Sequence, residues 1–142
     1  MPRYHAEFSN AYESVGRARH ALVHFARYAG LSGVALQDFE TAMGEALANA
    51  VEYGGPSFTV SARLTNGVLN VELADGGKGF QGWSETERAR PPSGAPRGFG
   101  IFLMRALMDR VEYSEGGSRL RLSKTVPFAT SECSCDEDCC EA

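Results

Sequence analysis

A carboxylate and an amide lie one helical turn apart in the middle of the chain. Glu45 and Asn49 are four residues apart, so they share one face of the helix predicted there, and Glu52 follows about a turn later. An amide oxygen can coordinate Mg²⁺ while a neighbouring carboxylate orients or deprotonates a hydroxyl group or a water molecule. The same spacing is common on helix faces that simply contact solvent, so the pair alone leaves both interpretations open.

Asp75 begins a glycine-rich segment directly after a predicted strand. Residues 75–79 read Asp-Gly-Gly-Lys-Gly. A carboxylate at a strand end can accept a hydrogen bond from an exocyclic amine such as that of adenine, and adjacent glycines let a flat base approach the backbone. The segment lacks the ending of a Walker-type loop and the parallel crossover unit of a dinucleotide site. A plain glycine-rich turn is the alternative.

A third group, Arg97-Gly98-Phe99-Gly100, directly precedes the last predicted helix. The free N–H groups and the positive dipole end of a helix N-terminus form a site for phosphate, and Arg97 could approach a terminal phosphate. The alternative is ordinary helix initiation after a proline-rich loop, with Arg97 as an exposed arginine.

Hydrophobic periodicity predicts the helices that position these groups. We expect helices over residues 11–28, 35–53 and 101–109. The expected apolar faces are Val15, Ala18, Leu22, Phe25 and Ala29 in the first, Phe39, Met43, Ala46, Leu47 and Ala50 in the second, and Phe102, Leu103, Ala106 and Leu107 in the third.

Alternating apolar and polar residues predict strands and two hairpins. The expected strands cover residues 4–9, 58–64, 68–73, 111–114 and 118–124. Asn66-Gly67 between two alternating runs is a strong hairpin signal. The long segment rich in glycine and proline over 75–100 is typical of a functional lid or a disordered segment. This order predicts an α/β (α+β) two-layer sandwich, with a mainly antiparallel mixed sheet covered on one face by helices.

Composition and charge exclude several function classes. The 142 residues are 43% hydrophobic and 23% charged, which is typical of one globular domain. Five of the acids that give the net charge of −4 lie in the last dozen residues, and without them the remainder would carry +1. We therefore expect that the protein binds neither nucleic acid directly nor a membrane surface. No apolar run has the length of a bilayer span and no signal peptide is evident, so we expect a cytoplasmic protein.

Residues 131–142 form an acidic tail with four cysteines, Cys133, Cys135, Cys139 and Cys140. In a cytoplasmic protein we expect thiols rather than disulfides. A disordered tail is favoured, because the paired Cys-x-x-Cys of zinc knuckles is missing. A soft-metal or redox-sensing site is the alternative. His20 and His24 share a helix face at a metal-binding spacing, but with no third ligand nearby we expect an ordinary histidine pair.

In this order, the three groups resemble the asparagine box and the two glycine boxes of the GHKL ATPases, the superfamily of histidine-kinase catalytic domains and gyrase. The matching motifs are Glu45-x-x-x-Asn49, Asp75-x-Gly77-x-Gly79 and Gly98-x-Gly100. Within this superfamily, the chain is similar over about residues 4–126 to the anti-sigma-factor serine kinases of RsbW type. The resemblance implies a histidine kinase-like ATP-binding domain, with the Bergerat fold, over residues 1–130.

The resemblance also implies a role for each residue of these motifs. Glu45 would be the general base that activates a substrate serine, Asn49 would hold Mg²⁺ against the phosphates of ATP or ADP, and Asp75 would bind the adenine amine. Gly77 and Gly79 would shape the base pocket, and Gly98 and Gly100 would let the end of the lid and the helix N-terminus wrap the phosphates.

For the whole chain, the resemblance implies an Mg-ATP-dependent serine/threonine-protein kinase and anti-sigma factor. Such a kinase phosphorylates a serine on a STAS-type anti-anti-sigma protein and, as a homodimer, sequesters a sigma factor in transcription regulation. The alternative is a nucleotide-binding or sigma-binding module without efficient phosphotransfer. Glu45 favours the kinase, because a pure binder needs Asn49 and Asp75 but no base. The chain departs from the family by reading Glu52-Tyr53-Gly54-Gly55 where a basic residue or histidine is common.

Overall fold

The computed structural model describes residues 2–53, 55–75, 96–114 and 118–127, which form five strands and three helices. In chain order these elements are β1 (Arg3–Ser9), α1 (Tyr12–Ala29), α2 (Gly33–Tyr53), β2 (Ser57–Thr65), β3 (Val68–Asp75), α3 (Pro96–Leu107), β4 (Arg110–Ser114) and β5 (Arg119–Thr125). Most of the segment predicted as a lid, and the cysteine-containing tail, lie outside the described residues.

The five strands form one sheet in the order β1-β2-β3-β5-β4. Each strand pairs antiparallel with its neighbours, so the described sheet is wholly antiparallel where the sequence predicted a mainly antiparallel one. The predicted combination of an antiparallel sheet with helices is confirmed. β3 and β5 lie in the interior of the sheet, whereas β1 and β4 form its two edges.

The β2–β3 hairpin has the two-residue turn that its sequence predicts. Asn66 and Gly67 both have positive φ, at 52° and 77°, and Thr65 pairs with Val68 across the turn. Left-handed conformations at both central positions define a type I′ turn, whose twist matches that of the flanking strands. The Gly67 carbonyl also accepts a hydrogen bond of 2.9 Å from the Val126 N–H, which ties the end of β5 to this turn.

The core lies between the helices and one face of the sheet. Burial alternates along β2, where Phe58, Val60 and Ala62 are buried and the intervening residues are partly exposed. The predicted faces of α1 and α2 are confirmed for most of their members. Buried side chains from these two helices include Ala18, Leu22, Phe25, Ala29, Phe39, Met43, Ala46 and Leu47.

The predicted apolar face of α3 is wrong. Ile101, Met104 and Met108 are the buried side chains, whereas Ala106 is exposed and Phe102 is only partly buried. Seven of the eight residues from 101 to 108 are apolar, so their pattern does not determine which face points to the core. The packing of α3 against α2 and β4 decides it.

The opposite face of the sheet is polar. Glu72 on β3 forms ion pairs with Arg119 and Arg121 of β5. On the β1 side, His5 and Ser61 are hydrogen-bonded at 2.8 Å. Within the described ranges, no helix has the length and hydrophobicity needed to cross a membrane.

Candidate functional site

The second half of α2 carries Glu45 and Asn49 on the side of the helix that faces α3 and β4. Their neighbours Ala46 and Leu47 are buried in the core, which fixes the rotation of the helix about its axis. Glu45 and Asn49 are both partly buried. The four-residue spacing therefore places a carboxylate and an amide on one face of α2, as the sequence predicted, and the structure puts that face at the border of the core.

Glu45 lies directly against Gly100 of α3. A Cβ atom built on Gly100 would be 2.9 Å from the Glu45 Oε1 atom, closer than real Cβ contacts allow. The structure thus brings together two of the predicted site residues that are 55 positions apart in the chain. The absence of a side chain at Gly100 leaves the space that the Glu45 carboxylate occupies.

Asn49 is linked to β4 by a hydrogen bond between side chains. Its Nδ2 donates to the Tyr113 hydroxyl oxygen at 3.3 Å. Tyr113 is only 9% exposed. This burial raises the pKa of the phenol to about 12, the bond from Asn49 acts in the opposite direction, and the Asp75 carboxylate raises the pKa further. The phenol therefore stays neutral at physiological pH, and Tyr113 has both Asn49 and Asp75 as neighbours.

Asp75 is the last residue of β3, in the interior of the sheet. Its N–H donates to the Ser118 carbonyl at 3.0 Å, and its backbone pairs with Phe58 of β2. Neighbouring strand residues on both sides thus fix the backbone of Asp75, which is partly buried. The structure places this carboxylate at the end of a strand, as the sequence predicted.

The N-terminal turn of α3 begins earlier than predicted. The helix starts at Pro96 rather than near residue 101, so Arg97, Gly98 and Gly100 lie inside it rather than before it. Proline suits the first helical position because its φ is already helical and it has no N–H to satisfy. The first-turn amides, those of Arg97 and Gly98 included, have no carbonyl partner within the helix. These amides and the positive dipole end can therefore receive an anion.

Three parts of the predicted site lie outside the described residues. They are Gly77, Gly79 and the side chain of Arg97. The described residues bring together Glu45 with Gly100, and Tyr113 with Asn49 and Asp75.

Sequence reasoning missed Tyr113. The alternation of β4 places it at a buried position, and a buried tyrosine usually needs a hydrogen-bond partner for its hydroxyl. That signal exists in the sequence, but it does not identify Asn49 as the partner, because the two residues are 64 positions apart.

The predicted histidine pair lies elsewhere. His20 and His24 line a groove of about 620 Å³ between α1 and β1, together with Tyr4 and Tyr28. β1 is the sheet edge opposite to β4, so this groove is remote from Tyr113. In the described ranges, no group of three or more histidine, cysteine, aspartate or glutamate residues could hold a metal ion.

Comparison with known proteins assigns the chain to a protein family. Residues 8–124 match the family model of the histidine kinase-like ATPase domain. The chain therefore belongs to the histidine kinase-like ATPase domain family, which confirms its resemblance to the GHKL ATPases and implies nucleotide binding. None of the curated protein sequences matches the chain significantly.

Two solved structures are similar to the chain to different degrees. One contains the RsbU and RsbW domains of Rv1364c from Mycobacterium tuberculosis, with a TM-score of 0.62 and 19% identity over 88% of this chain. The chain spans 32% of the length of that protein. The other is the histidine kinase AdeS of Acinetobacter baumannii, with a TM-score of 0.49, 13% identity, and coverage of 89% of this chain and 70% of that one.

Proposed function

We propose that this chain is an Mg-ATP-dependent serine protein kinase and anti-sigma factor of a partner-switching system. Its substrate would be a serine on a STAS-type anti-anti-sigma protein, and it would act in the cytoplasm as a homodimer. The observation that carries the proposal is the contact of Glu45 with Gly100, because it holds a carboxylate about one turn along α3 from the N-terminal amides that would bind the phosphates. The fold similarity to a structure that includes an RsbW domain supports the choice of partner-switching kinase within the family.

The described residues divide the work of the site. Asp75 accepts a hydrogen bond from the adenine amine, and the first-turn amides of α3 bind the phosphates. The Asn49 amide oxygen is a hard donor of the kind that Mg²⁺ prefers, and the bound ion would neutralise phosphate charge. The hydroxyl oxygen of the substrate serine attacks the γ-phosphorus of ATP while Glu45 accepts the hydroxyl proton. The bond between the γ-phosphorus and the bridging oxygen breaks, and ADP leaves with that oxygen.

A binding experiment tests the nucleotide site. Calorimetric titration with ATP and ADP, with and without Mg²⁺, is expected to show Mg²⁺-dependent binding that Asp75→Asn removes. Asn49→Ala should remove the Mg²⁺-dependent binding. Absence of binding to correctly folded wild-type protein would contradict the proposal, and the chain would then act as a protein-binding module.

A transfer experiment tests the base. Glu45→Ala should retain nucleotide binding and lose transfer of labelled γ-phosphate to a STAS-domain protein. Normal transfer by this variant would show that Glu45 is not the base.

The second candidate is a regulatory module that binds nucleotide or a sigma factor without efficient phosphotransfer. The end of α2 favours it, because exposed Glu52 lies where relatives often place a cation, which leaves the phosphate end less basic. Mg-ATP binding without detectable transfer in the wild-type chain would select this candidate.

A further inference from the structure

We infer that Tyr113 is a positioning residue for Asn49: its hydroxyl oxygen accepts one amide hydrogen and thereby turns the amide oxygen of Asn49 toward the nucleotide. This inference rests on the proposed function, since it concerns the orientation of the proposed Mg²⁺ ligand. It adds to the site a residue from the edge strand β4, outside all three motifs of the sequence.

The side-chain amide of asparagine has no strongly preferred orientation of its own. Its last torsion is broad, so without a partner the nitrogen and the oxygen can exchange places at little energetic cost. Only the oxygen can coordinate a cation. The 3.3 Å bond from Asn49 Nδ2 to the Tyr113 hydroxyl assigns the nitrogen to the β4 side, so the oxygen points away from β4.

The partner itself is held firmly. Tyr113 is buried, and its backbone pairs with Leu120 of β5, which is also buried. A phenol fixed in this way restricts the Asn49 side chain before any ligand arrives, which lowers the conformational entropy lost on binding. Because the phenol is neutral, it orients the amide without attracting the cation away from it.

Tyr113 also neighbours Asp75. The carboxylate contributes to the raised pKa of the phenol, so it lies within electrostatic range of the ring hydroxyl. Tyr113 therefore interacts with both the proposed adenine-binding residue and the proposed Mg²⁺-binding residue. We expect its loss to weaken the Mg²⁺-dependent part of binding most, because Asp75 has its own backbone bonds to β2 and to Ser118.

The test is Tyr113→Phe, which removes only the hydroxyl oxygen. Affinity for ATP is measured with and without Mg²⁺, and the ratio of the two affinities is compared between variants. We expect this ratio to fall roughly three- to tenfold, the usual effect of one hydrogen bond. Affinity without Mg²⁺ should stay within about twofold of wild type. An unchanged ratio would overturn the inference, and if both affinities fell equally, Tyr113 would only support the fold.

Tyr4→Phe is the matched control. It removes the same atom from β1 at the other edge of the sheet, where Tyr4 lines the groove between β1 and α1. We expect it to leave both affinities unchanged. Thermal unfolding of both variants shows whether either change alters folding.

A measurement without nucleotide separates this inference from the proposed function. In ¹⁵N NMR spectra, the side-chain amide of Asn49 should have restricted motion in the wild type and in Tyr4→Phe, and increased motion in Tyr113→Phe. An amide equally mobile in all three proteins would overturn the inference even if ATP binds. A restricted amide in a chain that does not bind ATP would contradict the proposed function instead.

Discussion

Gly100 is a residue whose lack of a side chain matters more than its conformation. The space that a Cβ would need is occupied by the Oε1 atom of Glu45, the end of a flexible side chain. A small substitution at Gly100 therefore displaces the carboxylate without disturbing the core. At this scale the requirements of stability and of the proposed chemistry oppose each other, because alanine is the better helix former and glycine leaves room for the proposed base.

Gly100→Ala should separate the two requirements. We expect the free energy of unfolding to stay the same or rise by up to about 1 kcal/mol, because of helix propensity. Phosphotransfer should fall roughly 10- to 100-fold as the Glu45 carboxylate moves. Gly16→Ala on α1 is the control, since its Cβ would meet nothing within 4 Å, and it should leave transfer unchanged. Wild-type transfer by Gly100→Ala would contradict this account of the contact.

Tyr113 predicts a pH dependence of stability. Its pKa is raised from 10.0 to about 12 in the folded chain, so the folded state keeps the proton after the unfolded state has lost it. This contribution is fully present below pH 10 and is lost as the pH rises toward 12. In urea unfolding across that window, the wild type should lose roughly 2 to 3 kcal/mol more than Tyr113→Phe. Parallel losses in the two proteins would show that the phenol is not buried.

At the scale of the elements, local patterns were predictable and packing was not. The β2–β3 turn depends on two adjacent residues, Asn66 and Gly67, and the sequence predicts it correctly. The face of α3 depends on which neighbours it packs against, and a nearly continuous apolar run carries no information about that. In the same way, the spacing within one helix predicted that Glu45 and Asn49 lie on the same face. The contact of Asn49 with Tyr113 depends instead on the order of strands in the sheet.

The turn gives a test of local stability. Gly67→Ala should lower the free energy of unfolding by about 1 to 2 kcal/mol, because alanine is strained at a φ of 77°. A Cβ at Gly67 would meet nothing within 4 Å, so the loss would come from the backbone alone. Asn66→Gly, at the neighbouring left-handed position, should change stability by less than about 0.5 kcal/mol. Urea unfolding measures both, and a Gly67→Ala variant as stable as wild type would show that the turn adopts another conformation.

At the scale of the whole molecule, the described core is complete before the acidic tail begins. Its last buried residue is Val126, whereas the four cysteines and the cluster of acids follow residue 131. The sequence predicts a domain over residues 1–130, and we propose that nucleotide binding belongs to this part alone. The charge of the chain divides at the same place, because the five acids of the tail outweigh the charge of +1 carried by the rest of the chain.

Removal of residues 131–142 should leave the melting temperature unchanged and the Mg-ATP affinity within about twofold of the full chain. The net charge would change from −4 to +1, which anion-exchange elution would show. A full-length variant with serine at all four cysteine positions distinguishes the thiols from the acids. A marked loss of stability on truncation would contradict the proposed boundary, and a metal bound by the full chain but not by the serine variant would establish the soft-metal alternative.

The strand order β1-β2-β3-β5-β4 also has a consequence for how the chain acquires its site. Among the described strands, β4 pairs with β5 alone, so Tyr113 gains its backbone partner only when residues 119–125 join the sheet. During synthesis, α1, α2 and the β2–β3 hairpin can form before those residues leave the ribosome. The hydrogen bond between Asn49 and Tyr113 becomes stable only afterwards, when β5 holds β4 in the sheet. A ligand that binds only the finished site stabilises the finished fold by mass action. Cellular nucleotide would then act as a folding ligand, favouring chains in which the last strand is in place.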